Sequence, residues 1–393
     1  MYLDWIMEFA YATVVVSAFQ GALAERTNLS AYVIISFLLA SFVYPVILAW
    51  TWGDGWLSDK GFHDFSGSGV VHLVAGTTAL WGAIFLGERR SKVRAREDHN
   101  AHKVQVNPKS PEIQHQLNEI NPDFSNIAKK AFKNNEGELA SNNNAFIVLG
   151  TLLIWTAYFF FVGGRTFGQF NPRAHNSAKI IQNMFIASSF SALVTIVIRP
   201  IALGLTRTHK FDVLSFSNGA LVGMVAISAS VDRVENWEAV LIGTIAAFSY
   251  VISLLTLDFY RIDDPLETIS VHFAGGVWGL FATGFFDTVS GVLFYGSLNQ
   301  GPFMGYQLVG ILVIVLFVSV IMVPTFYILR KLHILRVDKA IEEIGFDVAY
   351  ISPGVSKEFI DVVRDKIETR EQQEKKIAAY SEVELSSFDK SIN

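Results

Sequence analysis

Two histidines stand where an ionisable side chain is costly. His72 lies in DFSGSGVVHLVAGTTALWGAIFLGERR and His272 in SVHFAGGVWGLFATGFF. From Phe65 to Gly87 no Asp, Glu, Lys or Arg appears, and at about 1.5 Å per helical residue such a run spans a bilayer core. Charge at that depth costs roughly 3 kcal/mol or more, so His72 should face protein or a pore rather than lipid. Ala75, Gly76, Ala79 and Ala83 recur at helical spacings after His72, and Gly275, Gly276 and Gly279 follow His272. Small residues on one face let a second helix come close. The spacing predicts two buried imidazoles in tight helix-helix seams, facing protein or a pore. The plainer alternative is a pair of hydrogen-bonded core histidines with nothing passing them.

The elements that must hold these residues are apolar helices. Helix one is predicted over about Asp4–Leu23, with Glu8 near its start, and helix two over about Leu29–Trp52, with Pro45 a kink point. Helix three is the His72 stretch, with Asp64 or Ser66 placed to cap it. A long polar stretch, Glu88 to Asn144, opens with Arg89, Arg90, Lys92, Arg94 and Arg96 and reads as a solvated loop whose basic cluster is a topology signal. Helix four (about Ala145–Phe167) carries the aromatic run Tyr158 to Phe161 and then Arg165, a cation expected to pair with an acidic group of a partner. Helices five to nine follow at about Ala178–Leu205, Val213–Val231, Glu238–Leu257, Glu267–Phe286 and Met304–Leu329. From Lys331 the tail is charged, with helical patterns around DKAIEEI and SKEFIDVVRDKIETR.

Composition agrees with this reading and excludes others. Of the 393 residues 51% are hydrophobic and 17% charged, which places the chain among polytopic all-α membrane proteins rather than soluble domains. The absence of cysteine rules out disulfides and thiolate chemistry. No nucleophile, cofactor loop, metal cluster or basic nucleic-acid face stands out, so neither catalysis nor a cofactor is expected. The chain enters its first span almost at once, which leaves no cleavable leader in view. Lys and Arg concentrate on alternate links: Arg26, the cluster after Gly87, Arg207, Lys210, Arg261, Arg330 and Lys331. That asymmetry puts these links and the C-terminal tail on the cytoplasmic or matrix side of a plasma or mitochondrial inner membrane.

Several longer strings now combine: GALAER, the Trp52-to-His72 series with GF-x-DF-x-GSGVVH, SNGALVGMVA, the DDP-to-VH string ending at His272, and EEIGFD at Glu342 to Asp347. In this order they resemble the ammonium transporter (Amt/Rh) family over about Asp4 to Tyr350. The resemblance implies two inverted five-helix halves around a pore plus a last long helix, usually in a trimer. The chain begins at what resembles the third of eleven family spans. Residues 1–87 then hold spans three to five, 88–144 the polar loop, 145–330 spans six to eleven and 331–393 a soluble tail, with a homotrimer or unrelated membrane subunits supplying the rest.

By the same resemblance, ammonium is captured in an outer vestibule and crosses an apolar pore as ammonia, past the paired imidazoles. His72 and His272 would line the pore. Phe161 and Tyr11 would form its gate. Trp52 would meet the cation by its ring face, Asp64 would support the capture site, and Glu267 stands where the family usually has Asp. The family has Asn after the gate phenylalanine and Ser at the vestibule, whereas here the run is Phe161, Val162, Gly163, Gly164, Arg165, and a fixed cation about 6 Å from bound ammonium repels it by about 3 kcal/mol at an effective dielectric near 20. Either the chain conducts ammonium, or it is a transport-inactive structural subunit of a larger membrane assembly such as a mitochondrial respiratory complex.

Overall fold

A computed structural model describes residues 2–94, 96, 143–168, 174–203, 213–294, 301–351, 360–369 and 372. Most of the expected Glu88 to Asn144 loop, and the tail beyond 369 apart from residue 372, lie outside the described residues. Two units are each compact: Met1–Glu88 with Ser141–Leu335, and Arg89–Ala140 with Arg336–Asn393.

The first unit is helical throughout, with no β-strand among its described residues. Helix α1 (Tyr2–Ala18) tightens into a 3-10 turn at Phe19–Leu23. Asn28 accepts a hydrogen bond from the Ser30 amide at 3.1 Å and starts α2 (Leu29–Leu38). A π-turn, Leu39–Val43, carries α2 into α3 (Tyr44–Thr51). Proline in a helix lacks an N–H and clashes with the carbonyl four residues back. The wide turn ahead of Pro45 relieves that clash, so the helical hydrogen bonding changes register at the expected kink point. After the short α4 (Trp56–Asp59), a π-turn at Ser68–Leu73 leads into α5 (Val74–Leu86), and together they form the His72 helix.

The second half contains α6 (Asn144–Gly168), α7 (Ala174–Ala202), α8 (Val213–Ile227), α9 (Asn236–Phe259), the π-turn Ile269–Ala274 with α10 (Gly275–Phe286), and α11 (Gly301–Lys331). Glu235 and Glu238 exchange side-chain and backbone bonds in a capping box that fixes where α9 begins. Among the described residues eight helices are long and apolar enough to cross a membrane. The ninth expected span, α8, is apolar but short and ends at Ile227, ahead of Val231.

Burial separates the centre from the periphery. The His72 helix is 78% buried and the His272 helix 61%, against 22 to 39% for the other six. Phe37, Phe160, Leu312, Leu316 and Val320 on the outer helices are exposed, as a lipid-facing surface requires. There are two apolar cores, and helices of both halves enter the first of them. Tyr11, Leu39, Val71, Leu73 and Met322 belong to one and Val162, Met184, Val225 and Tyr250 to the other, with Phe161 packed against both.

In the second unit, arginines of the cluster after Gly87 meet acidic partners. Asp338 caps a short helix, Lys339–Ile344, by accepting from the Ala340 amide at 2.8 Å. Arg94 forks onto both oxygens of Glu343, Arg90 lies 3.9 Å from the same carboxylate, and Arg336 forks onto Glu342 at 2.7 and 3.0 Å. The Asp338–Ile344 pattern read from the sequence is thus a helix held by arginines, and 360–369 is helical as well.

Candidate functional site

The site begins with two carboxylates. Asp64 is buried and accepts from four successive amides, Gly67 and Ser68 on one oxygen and Gly69 and Val70 on the other, at 2.8–2.9 Å. A helix start leaves such N–H groups without intrahelical partners, and a side-chain oxygen just before it satisfies them. Desolvation pushes the Asp64 carboxyl above the usual carboxylate range, and the amides of Val70, Gly69 and Gly67 pull it back. The chain folds back onto its cap through Gly67 at φ +101°, where a Cβ would meet Val71 at 2.6 Å. The second half repeats the design. Asp264 accepts from the amides of Thr268 at 3.0 Å and Ile269 at 2.6 Å, and Glu267 takes the left-handed place at φ +58°.

Both capped turns deliver a histidine to the same point. His72 Nδ1 lies 3.1 Å from His272 Nδ1, with the rings 12° from parallel. The helices run antiparallel and touch backbone to backbone. A Cβ on Gly76 would reach Phe273 Cα at 2.6 Å and the His272 carbonyl carbon at 2.8 Å, and one on Gly276 would reach the Ser68 oxygen at 2.6 Å. His72 is 1% exposed, whereas His272 is only partly buried, as are Phe273 and Ala274 beside it. The sequence reading made both imidazoles equally deep.

The Nε2 edge of His72 is hydrogen-bonded to the Tyr158 hydroxyl. Tyr158, Phe161, Tyr11 and Trp52 form a continuous aromatic column, with successive ring centroids 4.9, 4.4 and 5.0 Å apart, and the Tyr11 hydroxyl donates to the Phe161 carbonyl at 2.9 Å. Trp52 Nε1 donates to the Asp64 carbonyl at 2.6 Å, which fixes the indole against the capped turn. Tyr158→Phe, which removes one partner of a buried bond and leaves the shape, should lower stability by about 1 kcal/mol in a detergent melt.

Arg165 closes the outer end of the column. Its guanidinium carbon lies 3.9 Å from the Trp52 ring centroid and 5.9 Å from that of Tyr11. Its Nη1 is 3.2 Å from Glu8 Oε1, and the other Glu8 oxygen accepts from the Tyr44 hydroxyl at 2.9 Å. Gly164 lets α6 press against α1, since a Cβ there would meet Met7 at 2.8 Å, and this close crossing brings Arg165 to Glu8. The acidic partner of Arg165 therefore belongs to this chain.

The opposite end carries a cluster of the same make. Arg199 Nη2 bonds one oxygen of Glu267, while the Tyr250 hydroxyl and Asn218 Nδ2, the latter at 2.7 Å, donate to the other. Farther out, Arg26 is fully buried, donates to the Asp263 carbonyl at 2.6 Å and lies 3.7 Å from its carboxylate. Among the described residues no group of three or more metal-ligating side chains gathers.

A model of the Ammonium Transporter Family matches residues 1–108 and 127–353. The chain belongs to the ammonium transporter family. Ammonium transporter 1 member 3 of Solanum lycopersicum is 32% identical over 391 residues, which covers 88% of this chain and 73% of that protein. Ammonium transporter 3 of Dictyostelium discoideum is 26% identical, again over 88% of this chain and 73% of its own length. Among solved structures, a protein titled Sensor Amt Protein superposes with a TM-score of 0.67 at 26% identity, covering 87% of this chain and 75% of that one. Candida albicans Mep2, at 22% identity and a TM-score of 0.65 over 87% and 67% of the two chains, shares the fold. The chain is thus an integral membrane protein of the Amt fold.

Within this family fold, the structure brings together Trp52, Tyr11, Phe161, Arg165, His72 and His272, and sets Asp64 behind Trp52. Glu267 lies beyond His272 in contact with Arg199. Sequence reasoning missed Asp264, Arg199, Tyr158 and Tyr44. Aligning the two histidine stretches would have found the first, because Asp64, Gly67, His72 and Gly76 superpose on Asp264, Glu267, His272 and Gly276 without a gap. Arg199, in an apolar helix ahead of Pro200, carried the same warning as Arg165.

Proposed function

We propose that this protein moves ammonium nitrogen across a bilayer as ammonia, along the His72–His272 pair, and that Arg165 keeps the rate low. The observation that carries this reading is the 3.1 Å bond between the two Nδ1 atoms, with Tyr158 on the far edge of His72. A bare cation in such a seam loses its hydration, whereas neutral ammonia loses far less. Ammonium therefore gives up its proton to water at the Trp52 mouth, and ammonia takes one from water at the other side. Trp52 and Tyr11 offer ring faces to the cation. Phe161 and Tyr11 form the gate, and Asp64 and Glu267 support the two ends.

The imidazole pair has two self-consistent proton arrangements. If Tyr158 donates to His72 Nε2, then His72 donates to His272 and leaves His272 Nε2 a donor. If His72 Nε2 donates to Tyr158, the bond between the rings reverses and His272 Nε2 becomes an acceptor. A passing ammonia can be met as acceptor in one state and as donor in the other, which is what a relay needs. The relatives carry the names of transporters, and no step here requires covalent catalysis.

The second reading, a transport-inactive subunit of a larger membrane complex, is favoured by the guanidinium lying on Trp52. Ammonium-driven pH change in proteoliposomes separates the two. Transport predicts a slow wild-type signal above protein-free liposomes, at least tenfold faster for Arg165→Ser and absent in His72→Leu. Wild type and Arg165→Ser both at the protein-free level would establish the structural role. Native mass spectrometry then distinguishes a homotrimer from association with unrelated membrane subunits.

A further inference from the structure

We propose that the Trp52 mouth is a guanidinium-binding site, with Arg165 as its tethered ligand. Three parts of the site are positioned by bonds that do not involve Arg165. The Trp52 indole is held by the Asp64 carbonyl at 2.6 Å, the Tyr11 ring by the Phe161 carbonyl at 2.9 Å, and the Glu8 carboxylate by the Tyr44 hydroxyl at 2.9 Å. An aromatic face, an aromatic wall and an aimed carboxylate therefore persist when the arginine is taken away. Such a site costs little ordering when a ligand arrives.

The contacts made by Arg165 match a planar, delocalised cation. Its carbon lies 3.9 Å from the indole centroid while an edge nitrogen reaches Glu8 Oε1 at 3.2 Å. Guanidinium can stack by its face and donate from its rim at once, and it is more weakly hydrated than an ammonium group. A compact ammonium ion must give up more hydration to make either contact. The site therefore favours guanidinium over ammonium, which reverses the preference that a transporter's mouth needs. The Arg165 and Glu8 side chains are 16% and 34% exposed, so neither is sealed inside the helix packing. In wild type the tether presents its own guanidinium at an effective concentration on the order of millimolar or above, and a dilute free ligand competes poorly.

The test uses the full chain in detergent and titrates methylguanidinium against tryptophan fluorescence. Arg165→Ser should show a saturable change at millimolar ligand that vanishes in Arg165→Ser with Trp52→Phe. Methylammonium should bind at least tenfold more weakly, adding Glu8→Gln should weaken methylguanidinium about tenfold, and wild type should respond at least tenfold more weakly than Arg165→Ser. No saturable signal dependent on Trp52, or methylammonium binding as tightly, overturns the proposal. Should Arg165→Ser not fold, a second measurement decides it: an arginine-directed dicarbonyl reagent, read by mass spectrometry of the Arg165 peptide. Modification should be slow in wild type and about tenfold faster in Glu8→Gln, and equal rates overturn the proposal. Neither measurement reads flux, so a failure of the transport reading leaves this one standing, and the reverse.

Discussion

Gly76→Ala should cost about 3 kcal/mol, lower the detergent melting temperature by roughly 4 °C and abolish any flux along the imidazoles. The added methyl would lie 2.6 Å from Phe273 Cα and 2.8 Å from the His272 carbonyl carbon. Every atom it meets is backbone, so no side-chain rotamer can make room. The two helices must part by about an ångström to restore van der Waals contact, which stretches the 3.1 Å imidazole bond out of hydrogen-bonding range. Gly305 is the control, because nothing stands within 4 Å of its Cβ position. Gly305→Ala lies in a helix interior and should melt at or slightly above the wild-type temperature. If Gly76→Ala melts like wild type, the seam is looser than described.

Asp64→Ala should be the costliest single change, at about 4 kcal/mol. It leaves four buried amides without an acceptor, and each unsatisfied buried donor costs about 1–3 kcal/mol before relaxation or water repairs part of the loss. The gain is smaller: the carboxylate removed is one whose charge desolvation disfavours. Asp64→Asn keeps one carbonyl oxygen for two of the four amides and should lose about half as much. The ordering wild type, Asn, Ala in a thermal melt carries the argument. Equal melting temperatures for Asn and Ala would mean that the carboxylate holds the turn by charge alone.

The imidazole seam is legible in the sequence because its signal is local. Histidine within an uncharged run, with small residues at helical spacings, states both depth and closeness before any partner is known. The same argument does not find what the seam is bonded to. Tyr158 looks like one aromatic among many, and only the fold turns its hydroxyl toward His72. Arg165 announces itself as a charge in an apolar helix, yet its partner Glu8 lies on α1, and nothing in spacing links them. Asp264 went unnoticed beside Glu267 because both are acidic and near a helix start. Only the left-handed backbone at 267 decides which carboxylate caps and which turns toward Arg199. The π-turns are likewise invisible to a 3.6-residue period, and so is the relief one of them gives Pro45. Arg90 and Arg94 hid their partner for a different reason: a topology signal and one half of an ion pair with Glu343 have the same composition.

The glycine crossing also bears on time. Where backbone meets backbone there is no rotamer to change, so the middle of the seam has no fast internal motion of its own. Separating the helices there is a collective movement on the microsecond-to-millisecond scale, whereas a side chain at a partly exposed position turns in picoseconds to nanoseconds. Arg165 and Glu8 are such side chains, and His72 and His272 are held by the crossing. Between these two parts of the described site, fast side-chain motion therefore belongs to the mouth, and the glycine crossing moves only with its helices.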